Sequence, residues 1–180
     1  MELRRPSPKD KKAILEMIKE FTDSHSTHDG GFWKEDFNYD DWLQTNLAYE
    51  MGIDIPDGFV PAIQLVSFDN KGRALGFLHI RLRLNDFLLN QGGHIGYSIR
   101  PSARGRGYAK EMLRQGLLEA KAKNINKILL TCRDDNPASR AVILANGGIL
   151  EDIRDHIERY WIDLEEKYDM EHTQTRGMEE

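Results

Sequence analysis

Residues Gly93 to Lys123, GHIGYSIRPSARGRGYAKEMLRQGLLEAKAK, change their hydrophobic period half-way along, and few folds accommodate that change. Ile95, Tyr97 and Ile99 alternate with His94, Gly96 and Ser98, the period of two expected of a strand. Pro101 ends it. From Arg106 onward Ala109, Met112, Leu113, Leu117 and Ala120 share one face of a helix. After the helix comes the short apolar strand Lys127 to Cys132, so strand, helix and strand form a crossover unit.

Between strand and helix lies Arg104-Gly105-Arg106-Gly107-Tyr108-Ala109. Glycines there let backbone N–H groups turn toward a ligand with no Cβ in the way. Several such donors at the positive end of a helix dipole suit a phosphate or pyrophosphate, and Arg104 and Arg106 add positive charge. Spacing alone leaves the nucleotide class open. A Rossmann G-x-G-x-x-G would need glycine where Lys110 stands, and the Walker A pattern has no match.

The run from Arg104 to Ala109 reads R-x-x-G-x-A and resembles the acetyl-CoA pyrophosphate loop, Q/R-x-x-G-x-G/A, of the GNAT N-acetyltransferase superfamily. HIGYSIRP before it, and Asn136-Pro137-Ala138-Ser139 ending in Asn146-Gly147-Gly148 after it, sit where that family places its cofactor strand and last helix. The set is most similar to the branch containing the ribosomal-protein N-terminal acetyltransferases and covers residues 75 to 164. The resemblance implies an α/β (α+β) fold: a mixed, mostly antiparallel sheet of about six to seven strands flanked by about four helices, with a splayed parallel strand pair holding the cofactor.

The same resemblance assigns a site. Backbone groups of Ser98, Ile99 and Arg100 would meet the pantetheine arm of acetyl-CoA, and those of Arg104, Gly105, Arg106, Gly107, Tyr108 and Ala109 the pyrophosphate. Asn136 and Ser139 match residues that contact the arm, although Asn136 could equally cap the helix. His94 stands where many family members carry a catalytic Glu, and an imidazole with a reference pKa of about 6.5 can serve as general base. The usual proton-donating Tyr is replaced by Ile143, leaving Ser139, Tyr97, a water or unassisted thiolate departure. The implied reaction is direct acetyl transfer to a primary amine, with acetyl-CoA as co-substrate, no metal and no covalent intermediate. A non-catalytic acyl-CoA-binding module is the alternative, kept by Ile143 and by the absence of Glu at His94.

The 180 residues form one domain over 1–164 with a polar, frayed tail over 165–180. A net charge of -5 argues against nucleic acid as partner, and no apolar run is long enough to cross a bilayer. The single Cys132, and an N-terminus without the apolar core of a signal peptide, point to the cytoplasm. A homodimer is consistent with the superfamily. The acceptor is an amine, either a small cation or a protein N-terminus. Carboxylates at Asp29, Glu35, Asp36, Asp40, Asp41, Glu50, Asp54 and Asp57 would favour the cation if they line the acceptor site, and otherwise form a solvated surface.

Elsewhere the chain predicts a strand at Glu2 to Pro6 and a helix to Ser24 opened by Ser7-Pro8. His25 and His28 match no zinc spacing and read as solvated loop residues. A second helix follows Asn38, with Trp42, Leu43, Leu47 and Met51 on its inner side and Gly52 as its stop. Trp33, Phe37 and Trp42 read as packing or as an apolar wall beside the acceptor. A hairpin turns at Asp69-Asn70-Lys71-Gly72. Its second strand puts Leu78, Ile80, Leu82 and Leu84 on a buried face and His79, Arg81 and Arg83 on a polar one. A last helix over about 138–145, with Val142 and Leu144 among its apolar residues, precedes a terminal strand pair at 149–157 and 159–164.

Overall fold

A computed structural model describes residues 1–165; the rest of the expected polar tail, from 166 on, lies outside the described residues. Strand β1 (Glu2–Arg4) leads through a short 3-10 turn into helix α1 (Lys11–Asp23). Ser7 donates its backbone N–H to the Asp10 carboxylate at 2.8 Å, and Arg4 grips the same carboxylate with two nitrogens at 2.7 and 2.8 Å. Helix α2 (Tyr39–Met51) opens where Asn38 Oδ1 accepts from Asp41 N–H at 2.8 Å and closes at the left-handed Gly52.

The hairpin β2 (Ala62–Phe68) and β3 (Ala74–Arg81) pairs antiparallel, and β4 (Ile95–Ile99) joins the outer edge of β3, giving the order β1-β2-β3-β4. Helix α3 (Tyr108–Ala122) crosses to β5 (Lys127–Arg133), and helix α4 (Pro137–Ala145) follows it. Strands β6 (Ile149–Arg154) and β7 (Ile157–Asp163) complete a second antiparallel sheet, ordered β5-β7-β6. This mixed α/β architecture is the one the motif order predicts.

Two cores form on opposite faces of the first sheet. On one face Leu65, Leu78, Ile80 and Ile99 pack against Met112, Leu113 and Leu117 of α3. On the other, Phe77 and Val66 meet Ile14, Met17 and Phe21 of α1 and Trp42 of α2. Covering both faces corrects the reading of β3: it is buried throughout Ala74 to Ile80, and His79 lies inside rather than in solvent. Helix α2 differs as well. Its inner stripe is Tyr39, Trp42, Asn46 and Tyr49, while Leu47 and Met51 are exposed. Trp42 is shared with the expected stripe, but Tyr39, Asn46 and Tyr49 are polar or amphipathic, so the apolar pattern alone did not select them. His28 is not solvated either, because its ring packs edge-on to Phe21 and Phe77.

Candidate active site

The turn after β4 is made by two left-handed glycines, Gly105 at φ 74° and Gly107 at φ 80°, the second being the N-cap of α3. Among the described residues, no atom beyond the adjacent stretch of chain lies within contact distance of where a Cβ would stand at either position, so the loop is an open cradle of backbone donors at a helix N-terminus. Arg104 does not point into it. Its guanidinium donates to Ile99 C=O at 2.9 Å and to Ser26 Oγ at 2.7 Å, fixing the loop against the strand end and the segment after α1. Arg106 is exposed.

Beside the cradle the two sheets part. Among the described residues, backbone pairing between them is confined to His94 N–H donating to Leu129 C=O at 2.8 Å. A Cβ on Gly93, which has φ 63°, would stand 2.6 Å from that carbonyl, so only glycine lets the strands converge here. The next donor, Leu129 N–H, is taken by the His94 ring at Nδ1 (2.9 Å), and the ladder stops.

Strand alternation then sorts the backbone. Arg81 N–H donates to His94 C=O, and Arg100 N–H to Leu75 C=O, so the even residues of β4 face β3 and the odd ones face the gap. Tyr97 and Ile99 therefore present the open edge, whereas the backbone of Ser98 and Arg100, expected to meet the pantetheine arm, is turned toward β3. The Arg100 side chain is buried too, with Nε 2.6 Å from Glu20 and Nη1 3.0 Å from Ala74 C=O. On β5 the same reasoning, anchored by Leu164 N–H on Asn126 C=O, turns Leu129 and Thr131 to the gap.

His94 is nearly buried, and burial together with the Arg81 charge pushes its pKa down to about 4. Because Nδ1 accepts from Leu129, the neutral ring carries its proton on Nε2 and has no lone pair left for an ammonium. This geometry disfavours the base role and makes His94 the wedge where the strands split. Across the gap the Tyr97 hydroxyl lies 2.9 Å from Ser139 Oγ, at the start of α4, where Asn136 Oδ1 caps Ser139 N–H at 3.1 Å. Burial raises the Tyr97 pKa to about 12, so it keeps its proton near neutrality. Ile143 is wholly enclosed in the core, and its identity carries no information about the gap. Burial and the Glu158 carboxylate, 3.5 Å away, push the Cys132 thiol up to about 12 and leave it unactivated.

The α1–α2 connection folds over the open face of β2, β3 and β4. Ser98 Oγ donates to Asp29 C=O at 2.7 Å, Gln64 Nε2 to Gly30 C=O at 2.7 Å, and Trp42 Nε1 to Gly31 C=O at 2.9 Å. Phe32 stacks on His79 at 5.2 Å and meets Tyr49 and Phe59 edge-on. Trp33, Phe37 and Trp42 instead pack with one another in the core under α1 and α2. The carboxylates scatter: Glu50 pairs with Arg5 at 2.6 Å and Lys123 at 3.5 Å, and Asp40 and Asp41 open α2. Gln64, His79 and Arg81 were missed as site residues. Their signal is present in the sequence, as polar residues inside two largely apolar strands.

A family model described as the acetyltransferase (GNAT) domain matches residues 1–149. The chain belongs to the GNAT acetyltransferase family. Among solved structures, an acetyltransferase from Salmonella typhimurium that modifies the N-terminal serine of ribosomal protein L7/L12 aligns with a TM-score of 0.64 at 18% identity, covering 89% of this chain and 93% of its own. A putative acetyltransferase, yncA, from the same organism, solved with acetyl-CoA, aligns with a TM-score of 0.60 at 17% identity, covering 91% and 93%. The spermidine N-acetyltransferase of Vibrio cholerae, solved with CoA and spermine, aligns with a TM-score of 0.58 at 16% identity, covering 91% and 95%. No curated protein sequence matches.

Proposed function

We propose that this GNAT acetyltransferase passes the acetyl group of acetyl-CoA directly to a primary amine bound under the α1–α2 connection. The observation that carries the reading is the open loop of left-handed Gly105 and Gly107 at the N-terminus of α3, continuous with the unpaired β4 edge. Acetyl-CoA supplies an acyl group already activated as a thioester. Backbone donors from Gly105 to Ala109 would hold its pyrophosphate, and the outward groups of Tyr97 with the Ile99 N–H its amide-bearing arm.

The Tyr97 hydroxyl, backed by Ser139, holds a proton at Oη within the gap and can give it to a departing thiolate. His94 serves as a positioning residue that keeps β4 and β5 apart. Attack requires the amine to be neutral, and desolvation against Phe32 and Phe59 favours that form, its proton leaving through water. The unactivated Cys132 supports direct transfer over a covalent route. The non-catalytic alternative loses one of its two supports, since Ile143 belongs to the core. The cytoplasm remains the compartment that fits one buried cysteine and the absence, among the described residues, of a membrane-crossing helix.

Calorimetric titration of the protein with acetyl-CoA, beside a Gly107→Glu variant, tests this reading. The variant sets an anion where the pyrophosphate would lie, and affinity should fall by about 100-fold or more. A folded parent that fails to bind acetyl-CoA overturns it.

A further inference from the structure

Buried guanidinium groups in this chain are paired with carboxylates. Arg100 contacts Glu16 and Glu20, and Arg159 contacts Glu151 and Asp152. Arg81 departs from the pattern. It is half-buried at the end of β3, yet makes no ion pair with any carboxylate among the described residues; only Asp29 offsets its charge, through space. Its Nη1 donates to the Gly92 carbonyl at 3.1 Å and the Gly93 carbonyl at 3.4 Å, neutral acceptors that fix the fork without neutralising it. The flanking imidazoles of His79 and His94 carry no negative charge in either protonation state and do not neutralise it.

The fork is placed for a ligand. Cross-strand register sets Arg81 opposite Ala62 and beside His94, and a Cβ on Gly96 would lie 3.4 Å from Nη2 and 3.5 Å from Nη1. The guanidinium thus lies over β4, next to Tyr97 at the open edge. One row along the sheet, Gln64 Oε1 is buried without a hydrogen-bond partner among the described residues, as are both polar atoms of the Asn46 side chain on α2. A half-buried cation without a carboxylate partner leaves its charge open to a ligand, and a planar fork matches a carboxylate with two parallel hydrogen bonds.

We infer that Arg81 determines acceptor specificity by holding a carboxylate of the acceptor, which is therefore an α-amino acid rather than a polyamine. The inference rests on the acetyl-transfer reading above. The fork and the gap are adjacent, so amine and carboxylate must be separated by a short spacer, as they are in an α-amino acid. A polycation would instead meet a like charge at the place where its amine must be bound.

The test measures CoA release from acetyl-CoA with a panel of L-amino acids, their α-amides and spermidine, using the full chain. The acid should exceed its amide by about tenfold or more in kcat/KM, chiefly through KM. Arg81→Gln should bring the ratio to about one, and Arg81→Lys, which keeps the charge but loses the fork, should retain part of it. Amides or spermidine turning over as well as the acids, or an unchanged ratio in Arg81→Gln, overturns the inference and leaves acetyl transfer standing. Should Arg81→Gln not fold, the ratio in the parent decides alone.

A second arm needs no turnover. N-acetyl-L-amino acids and their amides are titrated calorimetrically into the protein–CoA complex. Tighter binding of the acids, without acetyl transfer to any amine, would sustain the carboxylate site and break the transfer reading. No acid preference in either arm overturns the inference.

Discussion

In the proposed function the loop from Arg104 to Ala109 and the face under the α1–α2 connection are the cofactor and acceptor halves of one site, built in opposite ways. The loop works with backbone: Gly105 and Gly107 set its shape, Arg104 braces it from behind and Arg106 stands in solvent. The acceptor face works with side chains from distant parts of the chain, where Phe32 covers His79, Gln64 reaches Gly30, and Arg81 lies over Gly96. Functions carried by backbone geometry leave a compact glycine pattern in the sequence. Functions carried by converging side chains leave single polar residues in apolar strands, which read as a surface until the covering element is known.

The two halves are joined where the Arg100 side chain runs from the end of β4 to Glu20 on α1. Arg100→Ala should be the costliest change, about 3–5 kcal/mol, because it strands Glu20 and frees the strand end. Urea unfolding would measure it; a loss under about 1 kcal/mol would mean that the halves are held together elsewhere.

Acid should separate the halves next. His94 and His79 fold with pKa values of about 4 and about 3, below the ordinary imidazole value of 6.5, so the unfolded chain binds more protons between these limits. Their contribution to stability is complete above pH 6.5 and is lost as pH falls toward 4 and 3. Glu20, held at about 2 by Ser102 and Arg100 against the opposing effect of burial, keeps its full contribution down to about pH 4.5 and loses it as pH falls toward 2. A melting temperature that stays flat from pH 7 to pH 4 would contradict buried neutral imidazoles.

His94→Gln distinguishes a wedge from a base. A wedge role predicts a kcat loss of less than about tenfold, with the same pH–rate profile in parent and variant. A loss of about a hundredfold, accompanied by disappearance of an ascending limb, would restore His94 as the base. The smallest effect belongs to Arg106→Ala. If backbone donors hold the pyrophosphate, removing this exposed cation should weaken acetyl-CoA binding by about threefold or less. A tenfold loss would show that the loop too relies on side chains.

Much of the fold was legible because it follows from local rules. The caps at Asn38 and Asn136, the left-handed Gly52 and Gly72, and the strand–turn–helix at Ile95 to Ala122 each depend on residues within a few positions of one another. The inner stripe of α2 was not legible, since Asn46 and Tyr49 take the inward positions while Leu47 faces solvent. Nor was the commitment of the Ser98 and Arg100 backbone to β3, because alternation fixes a period but leaves open which edge each parity faces until a neighbouring strand is set.

By itself the sequence determined the cradle, the crossover that brings β5 beside β4, and the family. These depend on torsion angles and hydrophobic period, which neighbouring residues impose. Only the tertiary structure decided that the His94 ring closes the ladder, that Ile143 is core, and that Arg81 lies half-buried without a carboxylate partner among the described residues. Charge, burial and hydrogen-bond satisfaction depend on what the rest of the chain brings within a few ångströms, and sequence spacing does not encode that.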